Sequence, residues 1–128
     1  GVPAHLEKGY YVEPTVFADV RPDMRIAREE IFGPVLAAIT VQDAEEAVRV
    51  GNGVEYGLAA AVWTRDIGKA HRIAKALRAG MVYVNCYDAD DITVPFGGFK
   101  QSGTGRDKSL HAFDKYTELK TTWIDLSQ

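Results

Sequence analysis

The 128-residue sequence has a single cysteine, Cys86, and no excess of basic charge. A lone cysteine cannot form an internal disulfide, which fits a reducing compartment, and we expect the protein to be cytoplasmic. The net charge of -3 provides no electrostatic attraction to nucleic acid or to an anionic membrane. No apolar run approaches the roughly 20 residues that span a bilayer, and residues 1–5 lack the regions of a signal peptide. We therefore expect neither a nucleic-acid nor a membrane partner.

Common metal and nucleotide motifs are also missing. No Cys/His spacing typical of zinc occurs, so the sequence predicts no metal site. Gly98 and Gly103 have the glycine spacing of a Walker loop, but Thr104 and Gly105 stand where Lys and Ser or Thr are required. The pair Gly103 and Gly105 lacks the third glycine of a dinucleotide fingerprint. Ser102 does not lie in a Gly-x-Ser-x-Gly elbow.

Hydrophobic spacing alternates between strand-like and helix-like along the chain. Apolar residues make up 46% and charged residues 26%, as in an ordinary globular domain. Residues 24–31 are predicted to form one or two helical turns. The predicted strands are Tyr10–Phe17, Val35–Val41, Leu58–Trp63 and Met81–Cys86, and the predicted helices lie between Asp43 and Gly53 and between Asp66 and Gly80. The β-α-β-α-β order predicts a parallel, right-handed α/β unit.

Side-chain spacing predicts the starts and the buried faces of the two helices. Asp43 is a predicted N-cap, and Glu46 is its acidic counterpart in a capping box. The first helix has a small apolar face of Ala44, Ala47, Val48 and Gly51. In the second helix, the residues predicted to face inward are Ile67, Ala70, Ile73, Ala74 and Leu77.

The C-terminal part is predicted to contain a short helix near 107–115 and a final strand from about Thr117 to Leu126. Neither face of that strand is cleanly apolar, because Trp123 shares its face with Asp125, and Ile124 shares the other with Lys120. The strand is therefore either an ordinary edge strand of its own domain or an addition to a sheet of another subunit.

Two segments have an unusual composition. Pro95–Arg106 contains four glycines among aromatic, amide, hydroxyl and basic side chains, which suits a shaped and ordered loop. Arg28–Val35 joins two adjacent glutamates to a phenylalanine and a Gly-Pro break. Together they resemble the C-terminal part of the NAD(P)-dependent aldehyde dehydrogenases, and the resemblance extends from about Gly9 to Leu126. It implies the second half of the α/β catalytic domain over residues 1–115, followed by an oligomerisation strand over 116–128 of a homo-oligomer.

The prediction of a cofactor site depends on the pair of adjacent glutamates. Taken alone, Glu29 and Glu30 are typical of a solvated helix end. The resemblance implies that Glu30 binds the nicotinamide ribose of NAD or NADP and that Phe32 helps to place the nicotinamide ring. The chemistry agrees, because one carboxylate accepts two hydroxyl hydrogen bonds, and charge-assisted bonds are stronger than neutral ones.

An acidic cluster of Asp88, Asp90 and Asp91 precedes the glycine-rich segment. Asp favours turns, so a simple turn is one interpretation. The cluster and its surroundings resemble the γ-glutamyl-γ-aminobutyraldehyde and related aminoaldehyde branch of the family, on residues 85–98, 105–112 and 116–121. In the family that the sequence resembles, this loop anchors the substrate tail at the mouth of its tunnel. The resemblance therefore implies that Asp90 and Asp91, with Asp91 favoured, bind a cationic tail and that Phe96 adds a cation–π contact.

Two further residues have alternative interpretations. Asp107 stands where many family members carry a glutamate that is thought to help order the water or proton path for deacylation, and helix capping is the alternative. Cys86 is expected to be a small buried hydrophobic residue. The resemblance places the catalytic nucleophile in a segment upstream of these residues.

The resemblance implies oxidation of an aldehyde, most similar to an aminoaldehyde, to its carboxylic acid. The steps are attack by a cysteine thiolate, hydride transfer to the nicotinamide and hydrolysis of the thioester. The nucleophile, the general-base glutamate and the dinucleotide-binding domain are expected to lie outside this chain, so that the chain alone is inactive. The alternative is a non-catalytic assembly module that pairs with other chains through its C-terminal strand.

Overall fold

The computed structural model describes residues 2–89 and 91–127. Asp90, one of the residues predicted to bind the substrate, lies outside the described residues. The chain divides into a first unit, formed by the residues up to Glu55 with Lys75–Leu77, and a second unit, formed by Tyr56–Ala74 with the residues from Arg78 onward. Helices and parallel strand pairs make the fold mixed α/β, as predicted.

The first unit contains a pair of short parallel strands. β1 (Thr15–Phe17) pairs with β2 (Val35–Ala37) along its whole length. Just beyond the pair, the Val20 N–H donates to the Ala38 carbonyl at 3.1 Å, and the Val20 side chain is buried. A single 3₁₀ turn, Arg25–Ala27, precedes β2 where one or two helical turns were predicted.

Helix α1 (Ala44–Asn52), also in the first unit, starts where its capping residues predict. The Asp43 carboxylate accepts a hydrogen bond from the Glu46 N–H at 2.8 Å, which confirms the predicted N-cap. The Glu46 carboxylate accepts from the backbone N–H of Gln42 at 2.9 Å, one residue before the cap. Of the predicted apolar face, three residues are half-buried and the glycine is exposed: Ala44, Ala47, Val48 and Gly51.

The second unit contains a parallel β-α-β element. Its strands are β3 (Tyr56–Gly57), β4 (Ala59–Val62), β5 (Met81–Val84) and β6 (Phe99–Lys100), and helix α2 (Ile67–Ala76) connects β4 to β5. β4 and β5 pair in parallel, whereas β3 and β6 pair antiparallel. The predicted parallel arrangement is therefore confirmed for the strands that flank α2.

The buried side of the β-α-β element follows the predicted face of α2, with one exception. Ala70 on α2 and Tyr83 on β5 are 3% and 5% exposed. Three other predicted inward residues are half-buried: Ile73, Ala74 and Leu77. Ile67, however, is 72% exposed. It is the first residue of the helix, so it lies before the turns that pack.

The strands are shorter and less continuous than the sequence predicts. Among the described residues, three two-stranded sheets replace one parallel sheet. The first two predicted strands shorten to β1 and β2, because a strand extends only as far as its backbone groups find partners. The predicted helix near 107–115 is a 3₁₀ helix at Leu110–Tyr116. Residues 117–127 form no strand with any part of the described chain.

Large apolar side chains remain exposed over much of the described chain. Val20, Ala70 and Tyr83 are its only buried apolar residues, whereas Trp123 is 90% exposed. Apolar surface on this scale is typical of a protein–protein contact area. None of the helices in the described residues has the length and hydropathy that crossing a membrane requires.

The glycine-rich segment is an ordered loop, as its composition predicts. Gly97 and Gly98 are buried. The Arg106 guanidinium donates from Nη1 to the carbonyls of Gly98 at 2.9 Å and Gly105 at 2.8 Å, and it lies over the Phe99 ring at 5.2 Å from the centroid. One side chain thereby satisfies carbonyls at both ends of the loop.

We expect Gly80→Ala to destabilise the protein by about 1–3 kcal/mol, the usual cost of an overpacked site. A Cβ at Gly80 would overlap the carbonyl oxygen of Gly97, a backbone atom that cannot rotate away. Gly105→Ala is the matched control, because a Cβ there has no neighbour within 4 Å and its φ lies outside the left-handed region. Urea unfolding measures both variants, and an equal loss of stability in the two would contradict the steric argument.

Candidate functional site

A groove of about 290 Å³ in the first unit contains both residues of the predicted cofactor site. It lies between the 3₁₀ turn Arg25–Ala27 and strand β2. The lining residues are Ile26, Glu29, Glu30, Ile31, Phe32, Gly33, Val35 and Ala37. The polypeptide between the turn and β2 is short, so adjacent residues of the Glu-Glu-Ile-Phe-Gly sequence line one groove.

The two adjacent glutamates have different surroundings. The Glu29 carboxylate accepts a hydrogen bond from the Arg25 guanidinium at 2.8 Å and forms an ion pair with it. Arg25 lies one helical turn earlier in the chain. Within residues 2–89 and 91–127, the carboxylate of Glu30 has no hydrogen-bond or ion-pair partner. Glu30 therefore presents a charged acceptor to the groove, whereas Glu29 is engaged with its own helix turn.

Phe32 has a strained backbone and an exposed ring. Its φ is 55°, in the left-handed region, and its side chain is 91% exposed. A bulky residue with positive φ is uncommon, and such a conformation costs on the order of 1–3 kcal/mol. Strained conformations of this kind cluster at active sites, ligand clamps and switch regions. A carboxylate that has no partner in the described part of the chain, beside an exposed aromatic face, fits a ligand that carries a diol next to a flat ring.

Asp91, which is predicted to bind the substrate, belongs to the second unit and lies in the loop after β5. Asp91 is exposed, and its Oδ1 accepts hydrogen bonds from the Thr93 hydroxyl at 2.7 Å and the Thr93 N–H at 2.8 Å. These two bonds, together with the positive charge of Lys108, hold the pKa of Asp91 below its usual range. The predicted turn is therefore present, and its carboxylate is ionised at neutral pH.

Phe96 already has a cationic neighbour within its own chain. The Lys108 ammonium lies over the Phe96 ring at 5.5 Å from the centroid. Phe96 and Asp107 also form an antiparallel bridge, with the Phe96 N–H donating to the Asp107 carbonyl at 2.8 Å. Sequence reasoning did not identify Lys108, because only the bridge between two separate segments brings it to the ring.

Asp107 is not a helix cap. Its Oδ1 accepts a hydrogen bond from the Lys115 ammonium, which raises the pKa of Lys115. Ser109 caps the 3₁₀ helix instead, through its hydroxyl and the His111 N–H at 3.2 Å. The capping interpretation of Asp107 is wrong, and its role in deacylation stays a prediction.

The residues that follow β5 also differ from the prediction. Cys86 is exposed, so the prediction of a buried hydrophobic residue is wrong. The strand ends before it, and Asn85 turns the chain at a φ of 55°. The Asn85 amide accepts from the Thr64 N–H at 2.8 Å and donates to the Thr64 carbonyl at 2.9 Å. This clamp, which the sequence did not reveal, fixes the start of the loop that carries Asp91.

We expect Thr93→Val to raise the pKa of Asp91 toward the ordinary carboxyl value. The variant removes the hydroxyl donor that stabilises the ionised carboxylate and leaves the backbone donor in place. Thr93→Ser keeps the hydroxyl and is expected to keep the lowered pKa. The stabilisation from ionised Asp91 is present above the ordinary carboxyl pKa and is lost as the pH falls through the lowered one. An NMR titration of the Asp91 carboxyl carbon measures both variants, and equal pKa values in the two would contradict the assignment.

Comparison with known proteins identifies the family. A model described as the aldehyde dehydrogenase family matches residues 1–122. The NADP/NAD-dependent aldehyde dehydrogenase PuuC of Escherichia coli is 57% identical over 115 residues, which are 90% of this chain and 23% of that protein. The chain spans about a quarter of the length of the curated relatives it matches, from 23% to 26%.

Solved structures agree in fold. P. syringae AldA, an indole-3-acetaldehyde dehydrogenase solved with NAD+ and IAA, matches with a TM-score of 0.86 and 68% identity, over 91% of this chain and 23% of that one. The γ-glutamyl-γ-aminobutyraldehyde dehydrogenase from Burkholderia cenocepacia matches with a TM-score of 0.84 and 65% identity, over 89% of this chain and 23% of that one. The family model covers nearly the whole sequence and includes both the groove and the glycine-rich loop, and the chain therefore belongs to the aldehyde dehydrogenase family.

Proposed function

We propose that this chain is part of an NAD(P)-dependent aldehyde dehydrogenase that oxidises an aldehyde to its carboxylic acid through a cysteine thioester. The observation that carries the proposal is the groove in which the Glu30 carboxylate, without a partner in the described residues, lies beside the exposed, strained Phe32. The same motif in a chain of this family supports a cofactor-binding role. On the sequence argument given above, we propose a cytoplasmic location.

Glu30 and Phe32 each have a defined role in this proposal. The Glu30 carboxylate accepts hydrogen bonds from both hydroxyls of the nicotinamide ribose, because neither of its oxygens is engaged with the described chain. The Phe32 ring places one flat face against the nicotinamide. The bound cofactor supplies a hydride acceptor. The chain itself orients that acceptor, and orientation is a major part of the rate enhancement in such reactions.

The reacting groups come from outside these residues. Hydride transfer requires cofactor, thiolate and aldehyde in one near-attack geometry. Since the proposed nucleophile, general base and dinucleotide-binding domain lie elsewhere in the protein, the chain alone is inactive. Asp107 is proposed to help the deacylation step, with Lys115 as the partner that holds its carboxylate.

The proposed substrate is an aldehyde with an amino tail. The ionised carboxylate of Asp91 lies on an exposed loop, and its charge attracts a cationic group. Asp90 and Phe96 are proposed to contribute to the same subsite. The similarity to the γ-glutamyl-γ-aminobutyraldehyde dehydrogenase supports this class, whereas AldA is an indole-3-acetaldehyde dehydrogenase, so the charge of Asp91 is the decisive feature.

We expect Glu30→Gln to weaken binding of the cofactor by about tenfold, as the loss of charge-assisted hydrogen bonds predicts. Glu29→Gln is the matched control, because it removes the neighbouring charge and breaks only the exposed ion pair to Arg25, which is worth about 0–1 kcal/mol. The measurements are calorimetric titration with NAD and NADP, and the KM for the cofactor, in the whole protein that contains this chain. An equal effect of the two variants would contradict the assignment of Glu30.

A second proposed function is assembly through residues 116–128. Over 117–127 the described chain forms no helix and no strand, and Leu119, Trp123 and Leu126 are largely exposed. We propose that this segment adds a strand to the sheet edge of another subunit of a homo-oligomer. Self-association of the whole protein without any cofactor binding would favour a purely structural module over the enzyme.

We expect Thr121→Pro to reduce the oligomer to a smaller species in sedimentation velocity. Proline removes a backbone donor from the middle of the proposed strand and interrupts its ladder. Thr121→Val is the control, since valine keeps the backbone donor and favours an extended strand. Retention of the oligomer in the proline variant would exclude strand addition at this segment.

A further inference from the structure

We propose that a small pocket in the first unit binds a short organic carboxylate between two arginine side chains. The pocket has a volume of about 220 Å³ and is lined by Arg28 and Arg49 together with apolar residues. Among the described residues, none lines both this pocket and the groove that contains Glu30 and Phe32. The proposal therefore concerns a second site, beyond the proposed cofactor site, and it does not depend on the proposed function.

Three segments of the first unit that are separated in sequence form this pocket. Ala27 and Arg28 come from the end of the 3₁₀ turn, and Ile39 comes shortly after β2. Arg49 belongs to the last turn of α1, and Val54 lies just beyond that helix. The pocket exists only where these segments meet, so spacing along the sequence does not reveal it.

Arg28 provides the more available positive charge of the two. Its Nε donates to the Pro22 carbonyl at 2.9 Å, which restricts the rotation of the guanidinium. Within the part of the chain that the structure describes, its two terminal nitrogens have no hydrogen-bond or ion-pair partner. Asp23, which lies earlier in the chain, is engaged by Arg21 at 3.1 Å. A carboxylate can therefore accept two parallel hydrogen bonds from Arg28, the arrangement that a guanidinium favours.

Arg49 provides a positive charge that is partly shared. Its Nη2 donates to the Glu46 carboxylate at 2.8 Å, and that carboxylate also accepts from the Gln42 N–H at 2.9 Å. The Arg49 side chain is 71% exposed, so this ion pair is weak and screened by water. Its other nitrogens have no partner among the described residues. Arg49 is therefore expected to contribute to anion binding, but less than Arg28.

The apolar part of the lining decides which anion fits the pocket. Four apolar wall residues are half-buried: Ala27, Ile39, Val50 and Val54. No acidic side chain of the described residues lines the pocket. An apolar wall is stabilised by apolar ligand surface, so an alkyl carboxylate gains more here than an inorganic phosphate. The volume is below the range of about 300–1,000 Å³ for drug-sized ligands, which limits the alkyl chain to a few carbons.

The test is calorimetric titration of the whole protein that contains this chain with pentanoate. Pentanamide has nearly the same shape without the charge, and inorganic phosphate has the charge without the alkyl chain. We expect pentanoate to bind about tenfold more tightly than either, because only pentanoate uses both the arginines and the apolar wall. Phosphate or pentanamide that binds as tightly as pentanoate would overturn the assignment of an organic carboxylate.

Substitution of the two arginines locates the binding. We expect Arg28→Gln to weaken pentanoate binding about tenfold and Arg49→Gln about threefold, because Glu46 already shares the charge of Arg49. Arg65→Gln is the matched control, since it removes an exposed arginine of the second unit, and it is expected to change the affinity by less than about twofold. Equal affinities in the wild type and in both pocket variants would place the pentanoate elsewhere in the protein and overturn the proposal.

Discussion

The hydrogen bonds from Arg106 to the carbonyls of Gly98 and Gly105 are the interaction on which the second unit most depends. A loop with four glycines has a large conformational entropy in the unfolded chain, and backbone carbonyls that are buried without partners are costly. The Nη1 nitrogen of one guanidinium meets both demands, because it donates to the carbonyl of the buried Gly98 and to that of the exposed Gly105. Its stacking on Phe99 limits the rotation of the same group.

Close backbone packing follows from this anchored loop. Gly80, just before β5, approaches the Gly97 carbonyl too closely for a side chain, and Gly97 in turn approaches the Gly105 carbonyl too closely for one. The two ends of the loop are thereby held together, and the antiparallel bridge between Phe96 and Asp107 joins them. Of the charged groups near the bridge, Asp91 is held by the hydroxyl and the N–H of Thr93, and Lys108 lies over the Phe96 ring.

In the first unit, the ion pair of Arg25 decides which of two adjacent glutamates is left to bind a ligand. Glu29 and Glu30 are identical in type and adjacent in sequence, but Arg25 is one helical turn from Glu29 and pairs with it. Glu30 points its charge into the groove without such a partner in the described chain. Phe32, with its strained backbone and exposed ring, completes a surface that is costly to maintain unless it meets a ligand.

The sequence by itself determined the features that depend on local chemistry. The Asp43 cap, the buried face around Ala70, the parallel strands that flank α2 and the ordered glycine-rich loop all follow from residues close in the chain, and the two motifs carry the family resemblance. Strand lengths could not be predicted, because a strand ends where its partner ends. Only the tertiary structure decided that Glu29 is paired, that Asp107 binds Lys115 and that Lys108 covers Phe96. These contacts depend on which backbone segments meet and on where each side chain then points, and spacing along the sequence does not encode that geometry.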